Sequence, residues 1–278
     1  MNPPRIFDRS AYAKRRARAE RHGVESYFVD DAAQCLFERV SAVNRTFDRG
    51  LDLGSRRQSF ARLGPLAASW VRATLSSPQD IHTENLVIAD EEFLPFADST
   101  FDLVVSVLSL HAVNDLPGAL LQIRKLLAPD GLFVAALFGG TTLHELRRAL
   151  ATGENETLGG ISPRVAPFAD VRDLGGLLQR AGFSLPVADF ERVTVRYRQF
   201  HTLIGDLRAL GETNALTERS RRPLRRETLS AALAQYIASG SESDGKLRAT
   251  FDTIYLTGWA PSNAKLSTPL ESGARTKL

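Results

Sequence analysis

The chain has 278 residues, of which 43% are hydrophobic and 24% are charged, and its formal net charge is +3. This composition is that of a folded globular protein with a sizeable core, and it excludes fibrous and disordered classes. Acidic and basic residues are interspersed, so we expect a solvated surface and no nucleic-acid partner. The single cysteine, Cys35, lies in an apolar pattern and is predicted to be a buried structural residue, which leaves no internal disulfide and no cysteine metal cluster. No apolar run approaches the roughly 20 residues of a membrane helix.

The N-terminal segment is predicted to be helical. Residues 5–24 are basic and poor in apolar residues, with Phe7 and Tyr12 as the few anchors. Such a charge pattern favours a solvated helical extension over a lid or a partner-binding arm.

An alternation of apolar strands and amphipathic helices follows. Near-continuous apolar runs predict strands over residues 50–53, 69–75, 85–89, 101–108 and 132–138, and apolar residues at helical spacing predict helices over 30–43, 57–67 and 116–127. Asp30 or Asp31 is expected to cap the first of these helices and Asp115 the last. Buried strands separated by helices indicate an α/β, Rossmann-like fold, in which a mostly parallel sheet carries helices on both faces.

The second half of the chain is predicted to complete the same domain. The predicted elements are a helix over 142–151, a long loop over 152–168, a helix over 170–181, a strand over 187–197, two helical pieces within 199–236 and a closing strand over 249–259. The expected organisation is an N-terminal helical extension or lid (1–45), a Rossmann-like core (46–140), a helical insertion with closing strands (141–260) and a disordered tail (261–278).

Half of a nucleotide-binding loop follows the first predicted strand. Residues 51–54 read Leu-Asp-Leu-Gly, but Arg56 and Gln58 stand where two further glycines are expected. A glycine at this turn lets the backbone approach a ligand, and the next helix offers free N–H groups to it. Nicotinamide binding is disfavoured, because the Gly-x-Gly-x-x-Gly pattern is absent and Thr74 rather than an acid ends the second strand.

The later segments strengthen the nucleotide-site prediction. Paired acids and a turn at 89–96, a strand that opens at 101 and a Pro-Asp-Gly turn at 129–131 follow in order. This succession resembles class I methyltransferases that depend on S-adenosylmethionine (SAM), over about residues 50–138.

A closer resemblance covers nearly the whole chain. The matching segments are residues 6–9, 89–96, 109–111, 114–117, 138–140, 142–143, 145–147, 173–175, 180–183, 211–212 and 258–259. They are similar to the family of the mitochondrial complex I assembly factor with a methyltransferase fold, reported as a protein arginine hydroxylase, and its bacterial relatives. The biotin-synthesis methyltransferase that acts on a malonyl carrier protein is similar over the central domain only.

The resemblance implies SAM as the cofactor of the 46–140 core and assigns roles along it. Asp52 and Gly54 would line the methionine end, and Asp90, with the backbone of Glu91, would hold the adenine edge. Ser106, at the end of the fourth strand, would face the sulfonium and the acceptor.

Three further positions complete the implied site. His111 would reach the acceptor, so His111 and Ser106 are the catalytic candidates. Thr74 takes the place of the acid that grips the ribose in relatives, and Arg56 offers a partner for the SAM carboxylate. No metal site is predicted.

Purely structural interpretations stay open beside these roles. Asp90 and Glu91 would then cap a turn, and His111 would be a hydrogen-bonded loop residue. Glu145 and Arg147 are interpreted as part of a solvated face.

Three functions remain in view. The first is a SAM-dependent methyltransferase-like enzyme that acts on a protein or small-molecule acceptor, in respiratory complex I assembly by resemblance. The second is a SAM-binding protein arginine hydroxylase, for which the five histidines offer no clear iron triad with a carboxylate. The third is a degenerate, non-catalytic assembly module, which Arg56, Gln58 and Thr74 favour. We expect a cytoplasmic protein without a membrane segment, brought to the inner membrane by a partner such as a respiratory subunit.

Overall fold

A computed structural model describes residues 5–23, 26–76, 85–240 and 245–262. Residues 263–278 of the expected disordered tail lie outside the described residues. The helices are α1 (Arg9–His22), α2 (Tyr27–Ser41), α3 (Arg57–Leu63), α4 (Leu116–Leu126), α5 (His144–Leu158), α6 (Val171–Arg180), α7 (Phe200–Ala209) and α8 (Arg226–Gly240). The strands are β1 (Phe47–Leu53), β2 (Ala67–Thr74), β3 (Leu86–Ile88), β4 (Phe101–Val107), β5 (Leu127–Gly139), β6 (Ser184–Tyr197) and β7 (Leu247–Trp259).

All seven strands form one sheet in the order β3-β2-β1-β4-β5-β7-β6. The strands from β3 to β5 run parallel, whereas β7 is antiparallel to both of its neighbours. The chain goes outward from β1 to β3 on one side and from β4 to β5 on the other. Ligands of such sheets bind where the strand order reverses, at the carboxyl ends of the strands. In this sheet that position is the crevice between β1 and β4.

Alternate side chains of the central strands supply two hydrophobic cores. Leu103 and Val105 of β4 pack on the face that α2, α5, α7 and α8 cover. Val104, between them, packs on the opposite face with α4 and α6. Burial on both faces explains why these strands are apolar almost throughout. The predicted Rossmann-like α/β class is confirmed.

Several predicted boundaries differ from the structure, and those of the second and fifth helices are the ones that matter most here. The second helix begins at Tyr27, with Ser26 in the N-cap position, so Asp30 lies in its first turn and pairs with Arg62 at 2.7 Å. The fifth helix, which is predicted to end near residue 151, continues to Leu158. The first part of the expected loop over 152–168 is therefore helical.

Gly153 explains the longer fifth helix. A side-chain carbon at this position would lie 2.6 Å from the backbone nitrogen of Ala232 in α8, so α5 and α8 touch backbone to backbone there. The glycine therefore serves helix packing and does not interrupt the helix.

The expected solvated face at Glu145 and Arg147 is also wrong. Glu145 is buried, and its carboxylate accepts hydrogen bonds from the hydroxyl and the N–H of Thr250 at 2.5 and 3.1 Å. Arg147 is half-buried and donates to the carbonyl of Ala166 at 2.8 Å. Glu145 therefore holds α5 onto β7 of the sheet, and Arg147 holds it to the segment that follows α5. Among the described residues, no helix combines the length and the apolar character that crossing a bilayer requires.

Candidate functional site

Two buried polar side chains lie at the strand ends of the crevice. Asp52 of β1 and Ser106 of β4 are both fully buried, and Leu53 pairs directly with Ser106 across the two strands. Asp52 Oδ1 and Ser106 Oγ have no hydrogen-bond partner among the described residues. Burial raises the pKa of Asp52 to about 6. Buried polar atoms without partners are costly, so their presence at this point indicates a ligand position.

The turn after β1 is held by side-chain hydrogen bonds. Gly54 has a φ of 71°, a left-handed conformation that suits glycine. The hydroxyl of Ser55 donates to Asp52 Oδ2 at 2.6 Å and accepts from Nε of Arg72 at 2.9 Å. A side-chain carbon at Gly54 would lie 2.1 Å from Oγ of Ser109. The turn therefore keeps its shape although the further glycines are missing.

Arg56 turns inward from this loop. Its guanidinium donates to the carbonyls of Leu210 at 2.6 Å and Leu108 at 3.2 Å, and it pairs with Glu212 at 3.1 Å. The guanidinium that was predicted to bind the carboxylate of SAM is therefore engaged by groups of the protein itself. The side chain of Gln58 lies outside the described residues.

The acids after β3 are bound to the N-terminal helix. Arg9 of α1 pairs with Asp90 at 2.8 Å and also with the buried Glu91, and it donates to the carbonyl of Ala112 at 2.9 Å. Glu91 accepts a further hydrogen bond from the Ser109 hydroxyl. Asp90 also accepts from the backbone N–H of Glu92 at 3.0 Å, as the turn-cap interpretation expects. The two acids implied for the adenine edge thus lie together, facing an arginine of the same chain.

Helix α1 covers the crevice with a second buried arginine. Arg16 donates to the carbonyl of Gly54 at 2.7 Å, and one turn earlier the Tyr12 hydroxyl donates to Glu212 at 2.9 Å. Arg16 and Tyr12 are only 5% and 2% exposed. The favoured interpretation of this segment as a solvated extension is therefore wrong, because the helix lies on the crevice as a lid would.

Glu212 connects α1, the β1 turn and His111. Its Oε1 contacts Tyr12 and Arg56, and its Oε2 lies 3.0 Å from Nε2 of His111. Burial would raise the pKa of Glu212, but His111 and Arg56 outweigh it and lower this pKa to about 2. The carboxylate is therefore ionised, and it fixes the orientation of the imidazole.

An apolar cavity of about 360 Å³ opens beside His111 and Glu212. Its walls come from β5, α5, α7, β7 and the segment after α5, and they include Phe138, Leu146 and Phe168. The ring of His111 packs between Phe138 and Phe168, with centroid distances of 5.2 and 6.2 Å. The cavity is large enough for a substrate side chain or a small molecule.

The structure brings most of the sequence-predicted residues to one region. Asp52, Gly54 and Ser106 lie at the crevice, and Glu91 lies over Gly54. Thr74 is buried at the end of β2, where its carbonyl accepts from the N–H of Ala89 at 2.9 Å. The unpartnered oxygen of Asp52 suits the amino group at the methionine end of SAM, and that of Ser106 suits the neighbouring sulfonium side, whereas the adenine-side acids are engaged by Arg9.

Sequence reasoning missed four contributors to this site, Arg9, Arg16, Ser55 and Glu212. A weak signal existed for the first two, because residues 9, 12, 16 and 19 share one helix face that includes the anchor Tyr12. Hydropathy could not separate two buried arginines from the exposed basic residues of the same helix.

The sheet order and the crevice define a class I methyltransferase fold. A methyltransferase domain family matches residues 26–186. The YcgJ protein from Bacillus subtilis, a solved structure, matches with a TM-score of 0.57 at 12% identity, over 84% of this chain and 99% of its own. A Burkholderia thailandensis N1-methyltransferase, solved with S-adenosylhomocysteine, matches with a TM-score of 0.50 at 14% identity, over 91% and 87%.

Sequence relatives narrow the assignment. The arginine-hydroxylase NDUFAF5 of Homo sapiens is 40% identical over 98% of this chain and 81% of its own. A malonyl-[acyl-carrier protein] O-methyltransferase of Halorhodospira halophila is 33% identical over 87% of this chain and 84% of its own. The chain belongs to the family of class I SAM-dependent methyltransferases, together with these relatives.

Proposed function

We propose that this protein binds SAM in the crevice between β1 and β4 and acts on a protein or small-molecule acceptor. The observation that carries the proposal is the pair of buried, unpartnered oxygens, Asp52 Oδ1 and Ser106 Oγ, at neighbouring strand ends. Asp52 would accept from the SAM amino group, and Gly54 would admit the ligand backbone close to the turn. Asp90 would hold the adenine edge, and Thr74 would take the ribose side. Bound SAM would supply an electrophilic methyl group.

The protein's own part in the reaction is orientation and the exclusion of water. Ser106 would face the reacting centre from the end of β4. His111, held by Glu212 at 3.0 Å, would contact the acceptor from the cavity side. Helix α1 lies over the crevice through Arg9 and Arg16, so cofactor entry requires α1 to move and the pair between Arg9 and Asp90 to open.

The relatives bear on the acceptor. One relative carries the name of a malonyl-[acyl-carrier protein] O-methyltransferase and another that of an arginine hydroxylase. Hydroxylation of a protein arginine is therefore the alternative reaction. Among the described residues, His111 and Glu212 meet at the site without a second histidine to complete an iron triad. We place methyl transfer first for this reason.

A non-catalytic assembly module is the second candidate function. It is favoured by one observation, the engagement of Asp90 and Glu91 by Arg9, which closes the adenine side with the protein's own cation. In either role we infer a protein partner, a respiratory subunit by the family resemblance, and a cytoplasmic location at the inner membrane.

Calorimetric titration with SAM and S-adenosylhomocysteine separates these functions. The enzyme proposal expects a Kd below about 100 µM for the wild-type protein. Asp52→Asn should weaken binding roughly tenfold to a hundredfold, the worth of one charge-assisted hydrogen bond. Asp98→Asn, in an exposed loop, is the matched control and should bind like the wild type. A folded wild-type protein that binds neither ligand would contradict the proposal and favour the assembly module.

A further inference from the structure

We propose that the cavity beside His111 is a binding site for a predominantly apolar, uncharged group that carries one hydroxyl. As the acceptor pocket of the enzyme this inference rests on the proposed function. As a binding site it stands without the cofactor, because side chains of the protein alone form the cavity.

The walls of the cavity select an apolar occupant. Phe138, Leu146, Phe168, Leu207 and Phe251 line it from five separate segments of the insertion and the sheet. Its volume of about 360 Å³ lies at the small end of the range for ligand pockets, which suits one ring system or one side chain rather than a peptide segment. Removing such a group from water supplies most of its affinity.

The side chain of His111 offers the cavity a hydrogen-bonding atom. His111 is only 4% exposed in its side chain, and its Nδ1 is a buried atom without a partner among the described residues. Its Nε2 is engaged by the ionised carboxylate of Glu212 at 3.0 Å, which leaves Nδ1 as the free ring nitrogen. Nδ1 is therefore free to hydrogen-bond with a hydroxyl of the occupant, which can both donate and accept.

The charges around the cavity argue against a charged occupant. Glu212 is already paired with Arg56, so its carboxylate is not free to bind a cationic occupant. Arg164, on the wall, is paired with Glu154. Arg208 is exposed to solvent, so water screens its charge. A buried ion would have to be desolvated here without a partner, and this is costly.

Two probes of nearly equal shape test the inference in the absence of SAM. The probes are 1-naphthol, which has a hydroxyl, and 1-methylnaphthalene, which has a methyl group in its place. Calorimetry with the full-length wild-type protein should show binding of both, with 1-naphthol tighter by about twofold to tenfold, the worth of one neutral hydrogen bond. His111→Phe, which keeps an aromatic wall, should abolish this preference and retain the binding.

A second variant locates the binding. Ala166→Trp places a large ring in the cavity and should abolish binding of both probes, whereas Ala97→Trp on the exposed surface is the control and should not. The inference is overturned if neither probe binds the folded wild type, if Ala166→Trp leaves binding intact, or if His111→Phe keeps the preference. Should His111→Phe not fold, the tryptophan pair still decides where the probes bind. Loss of SAM binding with intact probe binding would refute the proposed function and leave the cavity site standing.

Discussion

Replacing Asp52 with asparagine is expected to stabilise this protein at neutral pH. The side chain is fully buried, and burial raises its pKa from 3.8 to about 6. At about 1.4 kcal/mol for each pKa unit, keeping the carboxylate ionised in the folded state costs about 3 kcal/mol. Asparagine has the same shape and retains an oxygen for the hydroxyl of Ser55, so the variant loses the charge and little else.

The pH dependence of this gain has a definite sign. A carboxyl group with a raised pKa binds its proton more tightly in the folded state, so its penalty is absent below about pH 4 and complete above about pH 6. Urea unfolding of the wild type and Asp52→Asn should therefore show equal stability near pH 4. At pH 7.5 the variant should be more stable by up to about 3 kcal/mol.

A constant difference between the two proteins at both pH values would refute this reasoning, as would a variant that is less stable at pH 7.5. Either result would mean that another group of the protein, or a bound group, compensates the charge of Asp52. The expected result, together with weaker SAM binding by the same variant, would show that the site keeps a destabilising charge for its ligand.

Three further substitutions probe other parts of the structure. Glu212→Gln should lower the free energy of unfolding by about 3 kcal/mol at pH 7, because the pKa of this carboxylate is lowered to about 2 in the folded protein. The loss should shrink as the pH falls from about 4.5 toward 2, and thermal unfolding across this range measures it. Gly153→Leu should lower the melting temperature, since its side chain would meet the backbone of α8, whereas Gly160→Leu, with open space around it, should not. Arg9→Ala should speed amide hydrogen exchange throughout α1 relative to the control Arg18→Ala, because Arg9 carries the ion pairs that hold this helix and Arg18 is exposed.

The sheet could be predicted because its strands follow simple rules. Strands β4 and β5 are buried on both faces, so their residues form near-continuous apolar runs that alternate with amphipathic helices. The order of these elements then places the ends of β1 and β4 side by side. Asp52, Gly54 and Ser106 could be found in this way, since Asp52 and Ser106 are the penultimate residues of their strands and Gly54 begins the turn after β1.

The part of the site formed by α1 could not be predicted. Arg9 and Arg16 find their partners, Glu91 and the carbonyl of Gly54, far along the chain, and no local pattern encodes such contacts. Arginine in a basic helix indicates solvent exposure unless the tertiary partners are known. The prediction around Gly153 failed for a different reason. Glycine weakens a helix locally, which favoured a loop, but here it permits the close approach of another helix.

SAM is proposed to bind at the ends of β1 and β4, beneath α1. A crystal structure of the protein with S-adenosylhomocysteine would locate this ligand. We expect the ligand amino group within hydrogen-bonding distance of Asp52 Oδ1, the adenine beside Asp90, and Arg9 no longer in contact with Asp90. Ligand bound elsewhere, or a ligand-soaked crystal in which the pair between Arg9 and Asp90 persists over an unchanged crevice, would contradict this proposal.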